Sequence, residues 1–209
     1  PFEFTNEKNE IVGFDVDMAK FIAKEMGMEL KIVNMKFDGL VGALAAKQVD
    51  LVVAGMTITE DRKMSVNFSD PYYDASQVIV VRADDTTVNK RDDLKGKIIA
   101  VQLGTTGETA AAEVEGAQMK PFPKVNEAFM TLKNKQADAV VIDLPVAKAY
   151  IKQIEGLKIA GEPFTEEQYG IAAHKENTEL LAKVNEALKK MKDSGEYQKV
   201  YDKWIKPTE

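Results

Sequence analysis

The segment Gly55-Met56-Thr57-Ile58-Thr59-Glu60-Asp61-Arg62 places a guanidinium five residues beyond a hydroxyl, in a stretch that Thr59 can cap as a short helical turn. Such a turn brings the fork of Arg62 alongside the backbone N–H of Thr57. A planar fork beside N–H donors is what a carboxylate requires. Gly55 and Thr57 add a carbonyl and a hydroxyl, acceptors suited to an ammonium. A free α-amino acid makes both demands at once, because burying either charge unmatched is costly. The same spacing also fits a surface arginine on a helix, so the segment alone leaves both readings open.

Three further positions carry comparable pairs of readings. Gln102-Leu103-Gly104-Thr105-Thr106-Gly107 follows an apolar run and opens a helix, so its backbone N–H groups form either an anion site or an ordinary strand–helix turn. It lacks the lysine of a P-loop and the spacing of a dinucleotide fingerprint. Asp143, before Leu144-Pro145, suits a helix cap or the counter-ion of an ammonium. Phe37 suits core packing or a stack on a ligand side chain. The single histidine, His174, reads as a surface residue and is assigned no role.

The elements that must position these groups alternate between β-branched runs and helical stretches, the pattern of an α/β protein. Met18, Phe21, Ile22 and Met26 stripe a helix that Gly27 would stop, and Leu30-Lys31-Ile32-Val33 predicts a strand. Asp38 is expected to cap a helix through Leu40 and Leu44, followed by a buried strand at Leu51-Val52-Val53-Ala54. A strand at 97–101 and helices at 107–114 and 125–135 follow. Two closing helices are striped by Leu180, Val184, Leu188 and Met191, then by Tyr197, Val200, Tyr201 and Trp204, with Gly195 between them. At helical spacing the aromatic stripe reads as core.

One unit occurs twice. Residues 44–55 and 132–143 each read as a helix end, a Lys-Gln-x-Asp turn and a buried strand, at a constant offset of 88 residues. Two lobes built on similar units is the reading favoured over chance similarity. Gly55 and Asp143 then occupy equivalent strand C-termini, outside which open α/β sheets bind ligands, so both are nominated for one cleft.

Composition closes off much other chemistry. The chain has no cysteine and one histidine, which excludes thiol nucleophiles, thiolate metal sites, disulfides and multi-histidine metal sites, and any Ser-His-Asp triad outside position 174. No cofactor or metal is implied. A net charge of −6 with scattered Lys and Arg argues against nucleic acid, and no apolar run approaches a membrane span. The chain opens at Pro1 without an initiator Met, so an upstream segment is expected to have been removed or left out.

Taken together these residues resemble the polar and basic amino-acid-binding proteins of ABC importers, solute-binding protein family 3, which have the two-lobed type II periplasmic-binding fold. The resemblance runs through essentially the whole chain: Pro1-Phe2-Glu3-Phe4, Val12-Gly13-Phe14-Asp15-Val16-Asp17, Phe37-Asp38-Gly39-Leu40, Gly55 to Arg62, Phe68-Ser69-Asp70-Pro71-Tyr72-Tyr73, Gly104-Thr105-Thr106-Gly107, Tyr169-Gly170-Ile171-Ala172 and Tyr201-Asp202-Lys203-Trp204. It implies that Arg62, with the backbone of Thr57 and Thr106, clamps an α-carboxylate. The Gly55 carbonyl, the Thr57 hydroxyl and Asp143 would hold the ammonium, while Phe37 flanks the ligand side chain and Gln102 meets its tip. It also implies lobes at 1–74 with 171–209 and at 75–170, hinged near 72–77 and 168–170, that close around the ligand. Family members carry a strand and a pocket aromatic before the segment matching Pro1–Phe4, so the first strand is expected to lie upstream of this chain.

The function expected from the resemblance is reception of a polar or basic L-amino acid for an ABC importer. Arginine is the first choice, then glutamine or lysine, and a cationic side chain would need an acidic partner. The protein would act as a monomer in the periplasm or outside the cell, without turnover, with a lipid anchor left open. Two alternatives stand beside it. One is a cyclohexadienyl or prephenate-type dehydratase on the same fold, with Glu162, Glu166 or Glu167 as the acid. The other is a ligand-sensing domain, which would require attached signalling segments.

Overall fold

The computed structural model describes residues 1–209. In chain order the elements are β1 Phe4–Thr5, β2 Ile11–Val12, α1 Phe14–Glu25, a 3₁₀ turn at Phe37–Gly39, α2 Leu40–Ala45, β3 Leu51–Val52, α3 Glu60–Lys63, β4 Val66–Phe68 and β5 Tyr73–Ala75. There follow β6 Gln77–Arg82, β7 Ile98–Gln102, α4 Thr106–Ala112, β8 Gln118–Phe122, α5 Val125–Lys133, β9 Ala139–Asp143, α6 Leu144–Gln153 and β10 Leu157–Ala160. The chain closes with β11 Glu167–Tyr169, β12 Ala172–His174, α7 Thr178–Asp193 and α8 Glu196–Trp204.

Two compact units result. The first comprises residues 1–35, 39–74 and 167–209, the second residues 36–38 and 75–166. Residues 167–170 therefore group with the first unit rather than the second, because Tyr169 is fully buried among the rings of Phe2, Tyr72 and Tyr73 and the Gly170 N–H donates to the Met56 carbonyl. Phe37, expected with the first lobe, groups with the second.

The second unit is a five-stranded mixed sheet in the order β10-β6-β9-β7-β8. Its three inner strands β6, β9 and β7 are predominantly apolar because both faces are covered, whereas the edge strand β8 is largely exposed. Side chains alternate across the pleat: Val78 and Val80 pack with Phe129, Leu132 and Ala147, while Ile79 and Val81 pack with Leu94, Ile99 and Val101 on the other face.

The first unit holds a three-stranded antiparallel sheet, β3-β12-β4, and a core of rings with α1, α7 and α8. Phe14 is completely buried and meets Phe2 and Tyr197 edge to face at centroid distances of 5.8 and 5.4 Å. Of the α8 stripe, Val200 is buried, while Tyr197, Tyr201 and Trp204 are half-buried. Trp204 turns its indole N–H to Asp17, 2.8 Å away, beside the Lys203 ammonium at 2.7 Å.

The predicted strand at 30–33 does not form. Residues 28–36 carry no ladder, and Met28, Leu30, Ile32, Val33 and Met35 are exposed. Apolar alternation proposes a strand, but only a neighbouring strand can satisfy its backbone. Asp38 also fails to cap: it lies inside the 3₁₀ turn, and α2 starts from Gly39 with no side-chain cap.

The repeated unit is visible as backbone. After α2, the Lys47 N–H bonds to the Leu44 carbonyl and the Gln48 N–H to the Ala43 carbonyl; after α5, Lys135 and Gln136 bond to Leu132 and Thr131 in the same pattern. Lys47 and Lys135 both adopt the left-handed conformation, at φ 59° and 61°.

Candidate functional site

In the first unit, the cap expected at Thr59 is present. Its hydroxyl accepts from the Arg62 N–H at 3.1 Å and starts α3. The turn folds Arg62 back so that its Nη1 donates to the Thr57 carbonyl at 2.7 Å. The contact is with the carbonyl of Thr57, because a guanidinium only donates. That bond fixes the plane of the fork.

Thr57 is buried, and its hydroxyl donates to a Glu167 carboxylate oxygen at 3.1 Å. A hydroxyl committed as donor keeps its lone pairs for an incoming N–H group. Two residues back, Gly55 has φ +53°, a left-handed conformation that favours glycine at this turn.

Behind Gly55 stands a group that spacing alone did not single out as part of the site. Asp15, 0% exposed, accepts the Gly55 N–H at 2.6 Å and the Tyr72 hydroxyl at 2.9 Å through one carboxylate oxygen. Burial raises its carboxyl to about 7, against the opposing pull of the Gly55 N–H, the Tyr72 hydroxyl and Glu3.

In the second unit, Thr105 caps α4 by accepting from the Glu108 N–H at 3.2 Å, while Glu108 reaches back to the Gly104 N–H at 2.7 Å. Thr106 heads the helix. Gln102 ends β7, and its amide lies 3.5 Å from the Pro123 carbonyl. Asp143 ends β9 and precedes α6, but its side chain makes no cap bond there; it accepts instead from the Gln77 amide. Gln77, 0% exposed, also donates to the Thr106 hydroxyl at 3.3 Å. The second unit therefore brings Thr106 and Asp143 together through a residue outside the predicted set. Phe37 is half-buried in its 3₁₀ turn. Of the acids considered for a dehydratase, Glu162 and Glu166 are exposed and Glu167 is engaged with Thr57. A shallow hollow of about 690 Å³ beside α4 is lined by Asp38, Gly104, Thr105, Glu108 and Glu113, but Glu108 and Glu113 are already held by Gly104 and Arg91.

The chain has the two-lobed α/β fold of the periplasmic-binding proteins. Residues 1–207 match the bacterial extracellular solute-binding proteins, family 3, and the chain belongs to that family. It is 40% identical to the arginine-binding periplasmic protein of Mannheimia haemolytica, over 98% of this chain and 86% of that protein. Among solved structures, a mutant of the T. maritima arginine-binding protein ArgBP is 48% identical with a TM-score of 0.96, covering 99% of this chain and 90% of that one. An ancestral arginine-binding protein solved with arginine is 48% identical (TM-score 0.95), over 98% of this chain and 93% of its own; one solved with glutamine is 49% identical at the same TM-score, over 98% and 92%. An ancestral amino-acid-binding protein described as a precursor of cyclohexadienyl dehydratase is 42% identical, with a TM-score of 0.93 over 98% of this chain and 90% of its own. No helix is long and apolar enough to cross a membrane.

Proposed function

We propose that this chain is an extracytoplasmic receptor that binds a polar or basic L-amino acid, arginine first and glutamine or lysine next, and presents it to the membrane subunits of an ABC importer. The observation that carries the reading is the Arg62 fork held against the Thr57 carbonyl, with the Thr57 hydroxyl turned to Glu167. In this reading Arg62 and the backbone of Thr57 and Thr106 take the α-carboxylate. The Gly55 carbonyl, the Thr57 hydroxyl and Asp143 take the ammonium. Phe37 and Gln102 meet the ligand side chain, and Glu167 adds negative charge beside Thr57. Arginine is favoured by the relatives named for it, and glutamine stays open because a similar ancestral protein was solved with it.

The protein binds without turnover and acts as a monomer in the periplasm or outside the cell. A dehydratase would need a poised acid, and the exposure of Glu162 and Glu166 gives that reading no support. A thermal-shift panel of the twenty amino acids tests the proposal, since a ligand that binds the native state raises its stability by mass action. Arginine is expected to raise the melting temperature by several degrees, ahead of glutamine and lysine. No shift with any amino acid would reject the reading.

A further inference from the structure

We propose that Gln77 is a positioning residue of the site, a buried neutral amide that sets the side-chain geometry of Asp143 and Thr106 and leaves the charge of Asp143 for the ligand. The inference rests on the reading above, in which those two residues touch the amino acid.

Gln77 opens β6 directly opposite Asp143 in the antiparallel register of β6 and β9. Its backbone is pinned from outside the ladder: its N–H donates to the Thr165 hydroxyl at 2.7 Å, and its carbonyl accepts from the Phe164 N–H at 3.1 Å. From that fixed base one side-chain nitrogen donates to both the Asp143 carboxylate and the Thr106 hydroxyl. The fit extends to the helix above. A Cβ on Gly107 would stand 2.8 Å from the Gln77 side-chain oxygen and 3.0 Å from the Val141 carbonyl, so glycine at 107 is what admits the amide beneath α4.

The chemistry of the side chain matters as much as its placement. A lysine or arginine at 77 would orient Asp143 but neutralise it, competing with a ligand ammonium. An apolar residue would leave the carboxylate charged without this amide's restraint, and the extra ordering on binding weakens affinity. An amide orients without neutralising. Gln77 stands at the head of the apolar run Val78-Ile79-Val80-Val81, directly after Ser76, so the sequence carries little signal for this role.

The test is a double-mutant cycle read by arginine calorimetry, with melting temperatures recorded for every variant. Asp143→Asn is expected to weaken binding about a hundredfold, and Gln77→Met roughly tenfold. On the Asp143→Asn background, Gln77→Met should cost no more than about threefold, because its main target is already lost. Parent-like binding by Gln77→Met, or its full loss repeated on the Asp143→Asn background, overturns the proposal while leaving the site reading intact. Parent-like binding by Asp143→Asn overturns the site reading and the proposal with it. If Gln77→Met fails to fold, Gln77→Glu decides the matter. Its affinity, taken relative to the parent at each pH, should fall as pH rises from 5 to 8, because a protonated Glu still donates to Asp143 and an ionised one repels it. A ratio independent of pH overturns the proposal.

Discussion

The helix–turn–strand unit at 44–55 and its copy at 132–143 share a turn and differ in almost everything that follows it. Both turns place a lysine in the left-handed conformation and close with the same pair of backbone bonds. Yet the strand after the first is two residues long and pairs only with β12, whereas the strand after the second has five residues and is flanked by β6 and β7. The turn is local chemistry, so the same residues repeat it; strand length is a property of neighbours. The polar ends differ too. Gly55 is braced through its backbone by Asp15, and Asp143 through its side chain by Gln77. Each copy ends in a ligand-facing candidate with a wholly buried polar side chain behind it.

Core truncation gives the largest contrast. Leu132 and Leu44 are equivalent and both fully buried. Leu132→Ala is expected to cost toward the upper end of about 2–5 kcal/mol, and Leu44→Ala toward the lower, because three short strands can relax around a cavity more than a covered five-stranded sheet can. Chemical denaturation measures both, and a reversed order would break the comparison.

The two braces differ in charge, and pH separates them. Burial holds the Asp15 carboxyl at about 7 in the folded chain, against roughly 3.9 for an unperturbed aspartate. The folded state therefore keeps a proton that the unfolded chain has released. The resulting stability is full below about pH 4 and is lost as pH rises toward 7, by roughly 4 kcal/mol at most. Asp15→Asn, which can still accept the Gly55 N–H, should flatten that fall. Melting curves of parent and variant from pH 4 to 8 check it, and parallel slopes would contradict the role given to Asp15.

The turns themselves predict the smallest effect. Replacing Lys135 by Gly relieves left-handed strain and is expected to stabilise by about 0.5–1 kcal/mol. Lys47→Gly should yield less, since it also removes the exposed pair with Glu176 at 2.7 Å. Equal gains in paired thermal melts would show that the surface pair contributes nothing.

What the sequence made legible follows the same division. Most local signals held, among them the Thr59 cap, the Thr105–Thr106 helix start, the repeated turn and the core stripe of α7, whereas the cap expected at Asp38 does not form. The strand at 30–33 was misread because its apolar alternation carries no information about whether a neighbour pairs with it. Asp15, Gln77 and Glu167 escaped the list of site residues because their roles depend on contacts 40, 66 and 110 residues away. Gln77 follows Ser76 at the head of its apolar run, where a polar residue is unremarkable, so only its register opposite Asp143 reveals it.

The proposed function rests on Arg62 taking the carboxylate of an amino acid, and calorimetric titration of arginine into the parent and into Arg62→Ala tests it most directly. Saturable one-to-one binding by the parent, weakened at least a thousandfold in a variant with an unchanged melting temperature, is the expected result. Retained tight binding by Arg62→Ala, or no heat of binding to the parent, would contradict the account.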